Sequence, residues 1–263
     1  MFDDILAKGK STLETVTSKH WWTDALVTFT TTKPPNYSFV AGQYARLGLP
    51  DEHDAVWRAY SMVSAPHEEQ LEFYGILVPN GRFTSRLKQL KPGDRILLEK
   101  QPFGFMTVDR FEDGDDLWML ATGTGIGPFI SILRDPLVWE KFRHLQLVHC
   151  VRHAAELSYQ NHLAELARRP PTSSAAPARM QLIQSTTRDP EAAPPRLHGR
   201  VTTLLENGEL ERAAGIPLTE KSSRIMLCGN PDMIEDTRRI LHHRGMRPCR
   251  RALPGQFVTE NYW

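Results

Sequence analysis

Cysteine is scarce in this chain: three occur in 263 residues, at Cys150, Cys228 and Cys249. An odd set so widely spaced argues against a disulfide framework and against a zinc site. It also rules out a built-in iron–sulfur cluster, which takes four ligands, usually closely spaced cysteines. Any one-electron chemistry therefore needs a separate protein as acceptor. Charge of one sign is lacking too, with Lys plus Arg at 32 and Asp plus Glu at 31. No basic excess points to nucleic acid or an anionic membrane as the main partner. No apolar run approaches the length of a membrane span, and Met1-Phe2-Asp3-Asp4-Ile5 carries acids where a signal peptide carries bases. The expectation is a cytoplasmic protein. His149 and His153 sit four apart, a spacing that suits a metal on a helix, but His149 lies in a Val/Leu-rich run that reads as a strand. No metal site is expected there.

What is present falls into two rhythms. The first twenty residues mix Lys, Thr, Ser and Glu and read as a loosely held arm or a first strand. From Ala25 the pattern has period two, over 25–31, 43–49, 58–64, 71–78 and 95–99, with turn signals such as Pro79-Asn80-Gly81 and Lys91-Pro92-Gly93-Asp94 between the runs. Such a pattern predicts an antiparallel barrel or sandwich, interrupted by one helix at 83–90. The charged stretch Asp109 to Asp116 reads as the boundary between domains 1–110 and 111–263. Beyond it, compact apolar runs at 117–121, 145–150, 181–184 and 224–228 alternate with helical segments at 129–134, 159–168, 201–207 and 231–244. That alternation predicts a parallel sheet wrapped by helices. Pro/Ala-rich connections occupy 170–177 and 189–195, and no internal repeat is found.

Two stretches carry chemistry. In Arg58-Ala59-Tyr60-Ser61, strand alternation puts a cation and a ring on one surface and a small hydroxyl on the other. A guanidinium can fork onto a phosphate, a phenol ring can lie on a flat heterocycle, and a hydroxyl can donate to a ring nitrogen. Taken alone, these four residues fit an ordinary edge strand as well. About sixty residues later, Gly123-Thr124-Gly125-Ile126-Gly127-Pro128 follows a buried strand and opens a helix. Glycines in that context let a pyrophosphate approach the backbone at a helix N-terminus, although the same loop can serve as a bare strand-to-helix turn.

Three further motifs complete an ordered set: Gly81-Arg82-Phe83-Thr84-Ser85-Arg86-Leu87, Cys228-Gly229-Asn230-Pro231 and the terminal Glu260-Asn261-Tyr262-Trp263. With all five in this order, the sequence resembles the ferredoxin/flavodoxin–NADP reductases, most closely the bacterial type that ends in an aromatic pair. The resemblance runs from about Ser18 to the last residue. It implies a Greek-key antiparallel β-barrel that binds FAD, followed by an α/β parallel-sheet domain that binds NADP.

For FAD, the resemblance implies Arg58, Ala59, Tyr60 and Ser61 at the isoalloxazine and phosphate. It places Gly81, Arg82, Phe83, Thr84 and Ser85 around the diphosphate, Tyr262 near the isoalloxazine and Trp263 on the adenine. Thr84 and Ser85 also fit as plain helix caps. For NADP it implies Thr124, Gly125 and Asn230 near the pyrophosphate and nicotinamide, and Arg152, Arg188 and Arg200 at the adenosine 2′-phosphate. Charge agrees with that choice, since an NAD site places an acid where Val151-Arg152-His153 has none. Solvated surface arginines are the plainer alternative. Ser61, Cys228 and Glu260 match the polar set that orients the nicotinamide, a role of positioning and electrostatics without a protein nucleophile. A buried Cys228 is equally an ordinary core residue.

The implied activity is transfer of a hydride between NADPH and FAD, and of single electrons between FAD and ferredoxin or flavodoxin, by a monomer that meets its partner transiently. Arg82, Arg86, Lys88 and Lys91 offer a basic patch to an acidic partner. Two alternatives are a reductase component serving an oxygenase or other acceptor, and a flavin electron-relay subunit with no turnover of its own.

Overall fold

Side-chain alternation shapes the first half. The computed structural model describes residues 2–51, 54–189, 196–250 and 253–261. In it a short helix α1 (Phe2–Ala7) precedes strands β1 (Ser11–Trp21), β2 (Leu26–Thr32), β3 (Tyr44–Pro50), β4 (Ala55–Ser61) and β5 (Gln70–Ile76). Helix α2 (Arg82–Gln89) and strand β6 (Arg95–Glu99) follow. The six strands pair antiparallel in the order β4-β3-β6-β1-β2-β5. The two outer strands meet just past β4, where Met62 bridges Phe73 and the Val63 N–H donates to Glu72 O at 2.8 Å. The sheet closes into a barrel, and Phe29, Leu47, Leu71, Phe73 and Leu98 turn inward to fill it.

Of the two readings of the opening twenty residues, the structure selects the strand. β1 runs from Ser11 opposite Glu99 to Trp21 opposite Val27, in the middle of the barrel sheet. Its polar composition hides this. Glu14 is buried and accepts from the Thr32 hydroxyl, and the Thr17 and Thr30 hydroxyls meet at 2.6 Å. Cross-strand hydrogen bonds do there what apolar pairs do elsewhere. Helix α2 buries Phe83 and Leu87, four apart on one face. Its C-terminal end is capped by Lys19, whose Nζ donates to the carbonyls of Leu87, Lys88 and Leu90 at 2.6, 2.9 and 3.0 Å.

The second half begins with β7 (Asp116–Thr122), α3 (Gly127–Arg134), α4 (Pro136–Lys141), β8 (His144–Val151), α5 (Gln160–Arg168) and β9 (Arg179–Thr186). It continues with β10 (Leu197–His198), α6 (Val201–Glu206), α7 (Glu209–Ala214), β11 (Ser223–Gly229), α8 (Pro231–His243) and β12 (Phe257–Asn261). All six strands are parallel, in the order β10-β9-β8-β7-β11-β12. β7 shows why apolar runs appear unbroken here: Leu117, Met119 and Ala121 face α3, α4 and α5, while Trp118 and Leu120 face α6 and α8. The chain winds outward from β7 through β8 and β9, then returns to its other side as β11. That reversal opens a crevice at the carboxyl ends of β7 and β11, where ligands bind in such sheets.

The halves share a core. Leu26, Val63 and Tyr74 of the barrel pack into the same cluster as Phe129 and Ile132 of α3, and the Ser131 hydroxyl donates to Ser64 O at 2.7 Å.

Candidate active site

A pocket of about 260 Å³ opens on the barrel where β4, β5 and the start of α2 converge. Arg58, Ala59, Tyr60 and Ser61 form one wall, and Gly81, Arg82, Phe83 and Thr84 another. The Tyr60 ring leans on Phe29 and Phe83, with centroids 5.9 and 5.4 Å away. It lies close over β5 because residue 75 is glycine: a Cβ there would stand 2.6 Å from the Tyr60 ring. Burial pushes the Tyr60 phenol well above its usual range, so it stays neutral. Arg58 is exposed and forms no ion pair with a described residue. Thr84 does not offer its hydroxyl to the pocket, since it donates to Val78 O at 2.9 Å. Ser85 is exposed and outside the wall of this pocket.

A larger cleft of about 520 Å³ lies between the domains at the carboxyl ends of β7, β8, β9 and β11. Thr124, Arg152, Arg188, Arg200 and Asn230 all line it. The loop after β7 is a tight 3-10 turn, Gly123–Ile126, that leads into α3 with Pro128 in the first turn. Gly123 has φ +53 and nothing within 4 Å of where a Cβ would be, so its backbone faces open space. Gly125 is the reverse case, because a Cβ there would meet Cys228 O at 2.3 Å. These are the two features a backbone cradle for a pyrophosphate needs. Asn230 caps α8: its Oδ1 accepts from Asp232 N and Met233 N at 2.8 and 3.2 Å, and its own N–H donates to Thr122 Oγ1 at 2.8 Å. The N-terminus of α8 thus points its partial positive charge at the cleft.

The three arginines are held by backbone. Arg188 N donates to Arg152 O at 2.9 Å, joining two of them at neighbouring strand ends. Glu156 accepts from the N–H groups of Arg152 and His153, and Asp189 accepts from His153 Nδ1 and Ala154 N, so the 152–156 turn is clamped from both sides. None of the three guanidinium groups forms an ion pair with a described residue.

A third cavity, about 340 Å³, is lined by Tyr44, Ala59, Thr259, Glu260 and Asn261. Glu260 stands opposite Cys228 in the β11–β12 register. Its Oε2 is buried with no hydrogen-bond partner among the described residues, and desolvation lifts its carboxyl to about 7. Gly104, at φ +101, makes room for that carboxyl, since a Cβ would lie 2.9 Å from Glu260 Oε1. Cys228 is fully buried and lies in the wall of none of the three cavities. Tyr262 and Trp263 lie outside the described residues.

The sequence pattern did not reveal His149 as a support for this site. It is fully buried in β8, its Nε2 lies 3.0 Å from Gly123 O, and burial lowers its pKa to about 4. The neutral ring therefore donates to that carbonyl and pins the first glycine of the loop. A histidine inside the apolar run Leu147-Val148-His149-Cys150-Val151 is the signal that could have marked it.

Two family models match consecutive parts of the chain: an oxidoreductase FAD-binding domain over residues 15–106 and an oxidoreductase NAD-binding domain over 119–239. The flavodoxin/ferredoxin–NADP reductase of Shigella flexneri is 42% identical over 249 residues, covering 94% of this chain and 97% of that protein. The chain belongs to the bacterial ferredoxin/flavodoxin–NADP reductase family. Ferredoxin–NADP reductase A of Sorangium cellulosum is 38% identical, with 95% of this chain and 89% of that protein covered. Among solved structures, a ferredoxin NADP+ reductase from Neisseria gonorrhoeae with bound FAD and NADP superposes with a TM-score of 0.90 at 37% identity, covering 97% of this chain and 99% of that one. The barrel and the parallel sheet described above are thus the two halves of the reductase fold.

Proposed function

We propose that this reductase carries electrons between NADPH and ferredoxin or flavodoxin through FAD. The observation that carries the reading is that Thr124 and Ile76 line both the barrel pocket and the interdomain cleft. Two ligands filling these spaces meet there, as a hydride donor and acceptor must. FAD, when bound, supplies the chemistry by accepting two electrons from NADPH and passing them on singly.

The residues present fit both cofactors. Tyr60 and Ser61 are suited to hold the flavin ring, with Ala59 beside them, and Arg58 with the Gly81 to Thr84 turn to hold its diphosphate. Ser85 joins that turn through its backbone, donating to Gly81 O at 2.9 Å. Thr124, Gly125 and Asn230 are suited to the pyrophosphate and nicotinamide of NADP, and Arg152, Arg188 and Arg200 to its 2′-phosphate. Glu260 acts from the third cavity, with Cys228 as the buried support beneath Gly125. We place the domain boundary within Asp109 to Asp116, between the end of β6 and the start of β7.

For the carrier, Asp51 forms ion pairs with both Arg82 and Arg86 and offsets one of their two charges, while Lys88 and Lys91 are exposed cations of the same patch with no ion pair to a described residue. The test is to release and identify the cofactor of the purified protein, then to follow reduction of a ferredoxin and of a flavodoxin by NADPH. The reading predicts FAD and reduction of at least one carrier. Reduction of small dyes with neither carrier reduced would contradict it.

A further inference from the structure

Tyr159, the residue before α5, is one of three non-glycine residues with positive φ among those described, at φ 60 and ψ 14. For a bulky aromatic residue that backbone is a genuine outlier, and it persists only where surrounding contacts over-determine it. Its ring meets His162 of α5, with centroids 6.4 Å apart, but its closer ring contacts and its hydroxyl partners lie across the domain interface. The Tyr159 ring lies 4.8 Å from Trp22 and 5.4 Å, edge to face, from Tyr74, and the side chain is buried.

Its hydroxyl sits in a chain of hydrogen bonds whose direction is fixed at both ends. Trp22 Nε1 can only donate, and it does so to Thr28 Oγ1 at 2.8 Å. The carboxylate of Glu72 can only accept, and it takes the Tyr159 hydroxyl at 2.8 Å. Thr28 must therefore donate to Tyr159, at 2.6 Å. The other oxygen of Glu72 accepts from Arg134 Nη1 of α3 at 2.6 Å. Trp22, Thr28 and Glu72 belong to the barrel, Tyr159 and Arg134 to the α/β domain. One residue earlier, Ser158 Oγ meets the hydroxyl of Tyr74, on β5, at 2.5 Å.

Both ends of this latch touch the site. Tyr74 lines the barrel pocket, while Glu156, three residues before Tyr159, lines the cleft and fixes the backbone of Arg152. We infer that Tyr159, with Thr28 and the Tyr74–Ser158 pair, is a positioning device that sets the gap between the flavin pocket and the nicotinamide end of the NADP cleft. Interfaces between domains of one chain move by default, and reacting atoms need a spacing of about 3–3.5 Å. A one-directional hydrogen-bond chain holds an orientation more sharply than apolar packing does. The inference rests on the functional reading above.

The experiment compares the FAD-loaded parent protein with Tyr159→Phe, Thr28→Val and Thr28→Ser. Tyr159→Phe and Thr28→Val should lower the NADPH-driven kcat by about tenfold and leave KM within about twofold, since misplacement costs rate more than binding. Without turnover, the change in the flavin spectrum on adding NADP+ should shrink in both, while the NADP+ dissociation constant stays near the parent's. Thr28→Ser keeps the hydroxyl and should behave as the parent. Where Tyr159→Phe fails to fold, the contrast between Thr28→Val and Thr28→Ser decides. A fall in melting temperature alone, with kcat and the difference spectrum unchanged, overturns the inference, and so does a rise in KM at constant kcat. Absence of NADPH-driven flavin bleaching in the parent overturns the functional reading along with it.

Discussion

The backbone N–H of Arg188 donates to the carbonyl of Arg152 at 2.9 Å, so two guanidinium groups with no ion pair to a described residue leave neighbouring strand ends at one corner of the interdomain cleft. A dianionic 2′-phosphate is the group that separates NADPH from NADH, and paired arginines match it. Replacing one by alanine removes a charge-assisted contact. Arg188→Ala should weaken NADPH binding by about tenfold or more and leave NADH within about twofold. Equal loss with both dinucleotides, measured as dissociation constants, would contradict the assignment.

Glu260 gives a stability prediction with a definite sign. Its folded pKa of about 7 lies above the ordinary carboxylate value, so the native state holds a proton that the unfolded chain has released. The contribution of this carboxyl to stability is complete below about pH 4.5 and is lost as pH rises through about 7. At about 1.4 kcal/mol per unit, the cost reaches about 3–4 kcal/mol. Glu260→Gln should therefore match the parent near pH 4.5 and exceed its denaturation free energy near pH 8. A constant difference across that range would show that the carboxyl is not desolvated.

His149 acts in the opposite direction. Its folded pKa of about 4 lies below the usual histidine value, so the unfolded chain takes up the proton first and stability falls as pH drops from about 6.5 toward 4. The two windows overlap, and the parent's own pH profile partly conceals both groups. His149→Gln should lose stability at pH 7, where it gives up the bond to Gly123, and should show a shallower acid-side decline than the parent. An unchanged acid-side slope would contradict the burial argument.

Much of the site was legible because its parts are local. The Arg58 to Ser61 strand, the Gly123 to Pro128 turn and the three arginines at strand ends are short stretches whose chemistry shows in adjacent letters, and the structure gathers them around adjoining cavities. Apolar runs located four parallel strands for the same reason. What stayed hidden depends on distant partners. β1 is paired by threonines and a buried Glu14, so its composition fits a loosely held arm as readily as the strand it forms. β12 follows a Pro- and Gly-containing loop and gains its place from β11, where Phe257 lies opposite Ile225, 32 residues earlier, with Cys249 and His242 bracing Phe257. Tyr159 reads as the first residue of a helix, yet it is the cap before one, and its hydroxyl partners Thr28 and Glu72 lie 131 and 87 residues away in sequence.

The central claim, that a flavin pocket and an NADP cleft join at Thr124, is tested most directly by anaerobic titration of the FAD-loaded protein with NADPH and, separately, NADH while the flavin absorbance is followed. The account predicts bleaching by NADPH at far lower concentration than by NADH. Bleaching by neither, in protein that retains its FAD, would contradict it.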